Sequence, residues 1–171
     1  VASGATLDLN GWAESIAGLS GAGIVTTGAA TTNVRFGVGD ANVSTIFDGL
    51  IENGAGSLYL QKNGTGSLTL TNPSNSFSGT VIDSSNNRAL PTTIHLASGK
   101  LAFTSNGALG VAGGDLYLDG GSFASDALVF GGDGITLDGG RTLNVNNLTS
   151  IEVGSGRTGT VAGPIWGDDN N

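Results

Sequence analysis

A tripeptide of apolar, polar and apolar residues recurs along almost the whole chain. It reads Leu7-Asp8-Leu9, Val34-Arg35-Phe36, Leu58-Tyr59-Leu60, Leu68-Thr69-Leu70 and Ile94-His95-Leu96. It returns as Leu101-Ala102-Phe103, Leu116-Tyr117-Leu118, Leu128-Val129-Phe130, Ile135-Thr136-Leu137, Leu143-Asn144-Val145 and Ile151-Glu152-Val153. On a strand, side chains alternate between two faces, so each unit sends two apolar residues inward and one residue outward. The pattern predicts Leu58, Leu60, Leu68, Leu70, Leu116, Leu118, Ile135 and Leu137 in a core, with Tyr59, Thr69, Tyr117 and Thr136 pointing away from it.

Strands this short, repeated this often and fenced by Gly or Asn, suit coils stacked into a solenoid. A coil of roughly 20 residues predicts about eight coils. At about 4.8 Å between stacked strands these would make a rod roughly 40 Å long. No stretch keeps apolar residues at helical spacing without a Gly interrupting it, so the expected class is all-β. The cleanest internal repeat sets Gly56-Ser57-Leu58-Tyr59-Leu60 ahead of Gly66-Ser67-Leu68-Thr69-Leu70. The segment Asp83 to Thr93, with Asn86-Asn87 and Pro91, reads as a longer loop between coils, and the end Gly167–Asn171 as frayed.

Composition narrows the function classes. The 171 residues fit one domain spanning 1–171. Only 12% are charged while 38% are hydrophobic, and the mean hydropathy is +0.12, so the chain can bury a continuous core. The formal charge is −8, and Arg35, Lys62, Arg88, Lys100, Arg141 and Arg157 are scattered singly. Nucleic acids and anionic membranes need clustered cations, so neither is an expected partner. With no Cys, disulfides and thiolate metal sites are excluded. No apolar run is long enough to insert into a membrane, and no signal peptide is present. The chain opens at Val1 inside what reads as a repeat, so we expect a processed piece of a longer precursor.

The run from Phe47-Asp48-Gly49 through Lys62-Asn63-Gly64-Thr65-Gly66-Ser67-Leu68-Thr69-Leu70 to Asn75-Ser76-Phe77-Ser78-Gly79 resembles the autotransporter-associated β-strand repeat, also known as the passenger-associated transport repeat. That family writes a Phe-x-Gly strand, a Lys-x-Gly-x-Gly-x-Leu-x-Leu core and an Asn-x-Tyr/Phe-x-Gly turn. The strict motif covers about a fifth of the chain, and the loop at Pro91 is longer than the family's usual return. The resemblance implies a right-handed parallel β-helix in a large exported protein at the bacterial surface, acting as stalk or secretion-promoting scaffold.

Few residues carry candidate chemistry. His95 is the single histidine and sits in the outward slot of its tripeptide, where a solvated surface residue is expected. Gly131-Gly132-Asp133-Gly134-Ile135-Thr136-Leu137-Asp138 is similar to a calcium-binding nonapeptide roll. Thr136 stands where that motif needs an Asp oxygen, so Asp133 and Asp138 read as turn residues and no cofactor or metal is expected. Asp115, Asp119, Asp138, Arg141 and Glu152 would make a glycan-cleaving cluster only if the coil register gathered them on one face. Tyr59 and Tyr117 are the candidate ligand-binding residues, since outward aromatics can stack on sugar rings or anchor a protein. Trp12 and Trp166, near opposite ends, are expected to plug the ends of the apolar interior.

The leading expectation is a non-enzymatic structural module, serving as stalk or scaffold or stacking end to end into a filament with other copies or adjoining repeats. An adhesin-like module holding glycan or a host surface is the alternative, and a polysaccharide lyase or hydrolase the third.

Overall fold

The computed structural model describes residues 1–31, 33–83, 88–120, 126–147 and 149–167. Asn86-Asn87 of the expected loop lie outside those residues, as does the expected frayed end apart from Gly167, which instead closes a strand. The chain forms an all-β solenoid of about six turns. The first coil carries β1 (Thr6–Asp8) and β2 (Glu14–Ile16), and the second carries β3 (Ile24–Thr26), β4 (Val34–Val38) and β5 (Thr45–Phe47). The third has β6 (Leu50–Ile51), β7 (Leu58–Lys62) and β8 (Ser67–Leu70). The next begins with a hairpin of β9 (Val81–Asp83) and β10 (Arg88–Leu90), then β11 (Thr92–Leu96) and β12 (Lys100–Phe103). After a short 3-10 turn at Asn106–Leu109 come β13 (Asp115–Asp119) and β14 (Ala127–Phe130). The last full coil is β15 (Ile135–Leu137), β16 (Leu143–Asn146) and β17 (Ser150–Val153), followed by β18 (Gly159–Val161) and β19 (Ile165–Gly167).

Like strands of successive coils pair in parallel, which builds three faces. One is a seven-stranded sheet in the order β2-β4-β7-β11-β13-β16-β19, and the second a five-stranded sheet in the order β5-β8-β12-β14-β17. The third face is split into β1-β3-β6 and β15-β18. In the gap a side chain takes the place of a strand. Asn75 accepts from the Ile51 N–H with its amide oxygen (2.9 Å) and donates to the Ala108 carbonyl (2.8 Å), mimicking a peptide unit between coils. This gives the Asn of the Asn-x-Phe-x-Gly segment a mechanical meaning.

Parity in the tripeptides becomes ladders in the core. Phe36, Leu60, Ile94, Leu116 and Leu143 stand in register down the larger sheet. Phe47, Leu70, Phe103 and Phe130 do so down the smaller one, with the last two rings 4.8 Å apart. All eight residues assigned inward by the alternation are buried. The antiparallel pair β9–β10 replaces the plain loop expected between Asp83 and Thr93.

There are about six turns rather than about eight because the coils are uneven and mostly longer than 20 residues. Register steps run from 18 residues (position 6 to position 24) to 34 (position 60 to position 94), the longest step containing the hairpin. The tryptophans do not plug the ends. Trp12 is 70% exposed in the turn after β1, and Trp166 is 51% exposed on the outward side of β19, in register with Asn144.

Two cations hold the corners. Lys62 continues the inward parity of Leu58 and Leu60 and is fully buried. Its ammonium donates to the carbonyls of Asn63, Gly64 and Ser98, tying two coils together. Gly64 and Gly99 take φ of 62° and 73° beside it, and a Cβ on Gly99 would lie 2.2 Å from the Gly64 carbonyl oxygen. Only Gly tolerates both the conformation and the approach. Arg141 is the second cation, fully buried further along the stack.

Candidate functional site on the outer face of the larger sheet

The outward residues of the seven-stranded sheet form a column by register: Ser15, Gly37, Gln61, His95, Tyr117, Asn144 and Trp166. Beside it Arg35 stands next to Tyr59, and Asp119 next to Asn146. Parallel pairing thus brings the single histidine against Tyr117, with ring centroids 5.1 Å apart. His95 Nε2 lies 3.7 Å from Asp119 Oδ2, too long for a hydrogen bond. The Asn146 amide donates to Tyr117 Oη (2.6 Å) and the Asn147 amide to Asp119 Oδ1 (2.8 Å).

Burial holds the His95 pKa below its ordinary value; Asp119 pulls it up, and the Arg35 charge pushes it down. The imidazole is therefore neutral at neutral pH. Burial also raises the Tyr59 phenol, against the opposing pull of Arg35. A neutral imidazole, a phenol and a carboxylate have the composition of an acid–base set. Access is what the set lacks. The β9–β10 hairpin lays Val81 and Leu90 against Tyr117 and Tyr59 in a small apolar cluster separate from the main core. Tyr117 points outward from its strand as expected, yet it is only 5% exposed and offers no stacking face to a sugar. Tyr59 is half-buried in the same cluster. His95, expected to be solvated, is largely buried, packed against the covered ring of Tyr117.

The carboxylates that a glycan-cleaving cluster would need on one face are instead dispersed over three. Asp119 sits beside His95, while Asp115 accepts from the Thr142 N–H (2.9 Å). Glu152 is on the smaller sheet, taking both its bonds from Lys100 at 2.7 and 2.8 Å. Asp138 lies on the third face. Burial works to raise its pKa, but donation from Asn106 and the Gly140 and Gly113 N–H groups, with the Arg141 charge, holds it below the usual value. Asp133 accepts from the N–H groups of Gly134 (2.9 Å) and Thr158 (2.8 Å), stitching β15 to β18. Both Asp133 and Asp138 thus fasten turns, and among the described residues no three His, Cys, Asp or Glu side chains are grouped to hold a metal ion.

Arg141 places all five of its N–H donors. Nε donates to Asn106 Oδ1 (2.9 Å), Nη2 to the carbonyls of Asn106 (3.2 Å) and Gly110 (2.9 Å), and Nη1 to the Gly114 carbonyl and Thr93 Oγ1. A planar fork of five donors saturated in this way is a clamp rather than a substrate anchor. Burial lowers its pKa while Asp138 and Asp115 raise it. Asp126, not singled out by the sequence pattern, is fully buried and accepts from the Gly99 N–H (2.6 Å). It faces the Lys62 corner electrostatically.

No family model, curated protein or solved structure matches this chain.

Proposed function

We propose that this chain is a structural module of an exported bacterial surface protein, a right-handed parallel β-helix serving as stalk or scaffold. The reading rests on one observation. The side chains that could carry chemistry are spent within the stack: Arg141, Lys62 and Asp126 are buried, Tyr117 is covered by the hairpin, and His95 is largely buried beside it. Three parallel faces around continuous apolar ladders supply length and stiffness. The resemblance of the segment Phe47 to Gly79 to autotransporter-associated repeats supplies the surface setting and the handedness.

A display assay tests the proposal. The chain is inserted between an outer-surface anchor and an epitope, and the epitope's height above the membrane is measured by fluorescence energy transfer. Six coils at about 4.8 Å each should raise it by about 30 Å without lowering export. Retention inside the cell, or a purified chain that depolymerises or captures polysaccharides on an array, would refute the stalk reading in favour of an enzyme or an adhesin.

A further inference from the structure

Lys62 occupies a place that neighbouring coils give to apolar residues. It stands in register with Val38 on one side and Leu96 on the other, both buried, so its stem runs inside a core ladder. At the end of that stem the ammonium donates to the backbone carbonyls of Asn63, Gly64 (2.9 Å) and Ser98 (3.2 Å). Glycines of the adjacent coils clear the space around it. A Cβ would lie 3.2 Å from the nitrogen if built on Gly39 and 2.8 Å if built on Gly99. Asp126, one coil further on, is fully buried. Its Oδ1 accepts from the Gly99 N–H (2.6 Å), while its Oδ2 has no hydrogen-bond partner. A buried carboxylate with one oxygen unmet calls for a cation close by, and its charge acts on the Lys62 ammonium.

We propose that this corner is a binding site for one monovalent cation of ammonium or potassium size, and that the Lys62 ammonium is its tethered occupant. Backbone carbonyls converging in a water-free cage are the donor set that replaces hydration around potassium. The 2.9 and 3.2 Å separations at Gly64 and Ser98 exceed the about 2.0–2.6 Å that magnesium and calcium take from oxygen. One positive charge balances Asp126, whereas a divalent ion would leave a surplus charge buried. The tether keeps the corner filled whatever ions surround the chain, so the stack does not depend on them. The same corner without its lysine would depend on a dissolved ion. This inference goes beyond the stalk reading and holds or fails without it.

The test empties the site and offers it ions. Lys62→Ala leaves the cage open beyond Cβ, while Lys62→Met fills the stem's space without the charge. Urea midpoints of the whole chain are read by circular dichroism in ammonium, potassium, lithium and tetramethylammonium chlorides. Ionic strength is held fixed, which cancels general screening of the formal charge of −8. The Lys62→Ala midpoint should rise by about 1 M over a hundredfold increase in ammonium or potassium beyond half-saturation. Lithium, tightly hydrated, and tetramethylammonium, too large, should give no such rise. The wild type and Lys62→Met should not respond to any of the four. Lys62→Ala/Asp126→Asn, lacking the counter-charge, should bind the ion at least about tenfold more weakly. If Lys62→Ala is unfolded in tetramethylammonium, recovery of the folded spectrum in ammonium or potassium reads the same binding. Lys62→Ala that responds equally to all four ions, responds to none or stays unfolded in all would overturn the proposal. So would a double variant that responds as strongly as the single one.

Discussion

Arg141 is where the stack is most open to a quantitative test. Its guanidinium joins three successive coils: Thr93 on β11, the Asn106, Gly110 and Gly114 carbonyls one coil later, and its own coil. Replacing it with Met keeps an apolar stem of similar reach and removes all five donors. Three backbone carbonyls would then be buried without their charged donor, each at a cost of ~1–3 kcal/mol. Solvent readmitted at the half-exposed Asp138 side recovers part of that cost. A net loss of ~3–5 kcal/mol is expected, the range for removing one partner of a buried charge network. Arg141→Lys keeps the charge but offers fewer donors without the fork, and should lose about half as much. Urea unfolding followed by circular dichroism reads the effect: with a slope of about 2 kcal/mol per molar, Arg141→Met should lower the midpoint by roughly 1.5–2.5 M. Arg157, exposed and bonded to the Gly131 carbonyl, is the control, and Arg157→Met should cost less than about 1 kcal/mol. If Arg141→Met lost no more than Arg157→Met, the clamp would be wrong.

Asn75→Leu removes the side-chain peptide mimic and strands the Ile51 N–H and the Ala108 carbonyl; it should cost ~2–5 kcal/mol in the same unfolding assay, against less than ~0.5 kcal/mol for the exposed neighbour Ser74→Ala. Lys62 gives a pH dependence of defined sign. Burial lowers its pKa from 10.5 to about 8, with Asp126 opposing, so between those values the unfolded chain binds more protons than the folded one. Stability should therefore rise as pH climbs from about 8 towards 10.5, and Lys62→Met should flatten that rise. A wild-type urea midpoint that falls across the same window would contradict the assignment.

Much of this architecture was legible because period-two alternation is a local property. Leu58, Leu60, Leu116 and Leu118 face inward wherever the register falls, since parity alone decides their side of the strand. The same parity reaches Lys62, two residues beyond Leu60, and could have marked it as an inward cation; its charge concealed that. The coil count was not legible, because it depends on where each strand finds its partner, and the excursion through β9–β10 lengthens one step by a hairpin. Tyr117 shows the limit most plainly. Its own strand points it outward, but Val81 and Leu90, far away in sequence, cover it. Exposure is a tertiary property, and a tripeptide carries only direction. Asn75 carried a local motif but not its role, and Arg141 carried neither, since each acts on backbone groups of other coils.

A stalk must be a stack of fixed length, and that is directly measurable. Ser15 and Trp166 stand at the two ends of one outward column, six strand steps apart. With no native cysteine to compete, spin labels on Ser15→Cys and Trp166→Cys, diluted with unlabelled chain, report one intramolecular distance by pulsed electron resonance. Six steps of about 4.8 Å predict a single narrow distribution centred near 29 Å, allowing for the label arms. A distance well below 20 Å, as a folded-back sandwich would give, or a broad distribution spanning tens of ångströms, would contradict the solenoid as a rigid spacer.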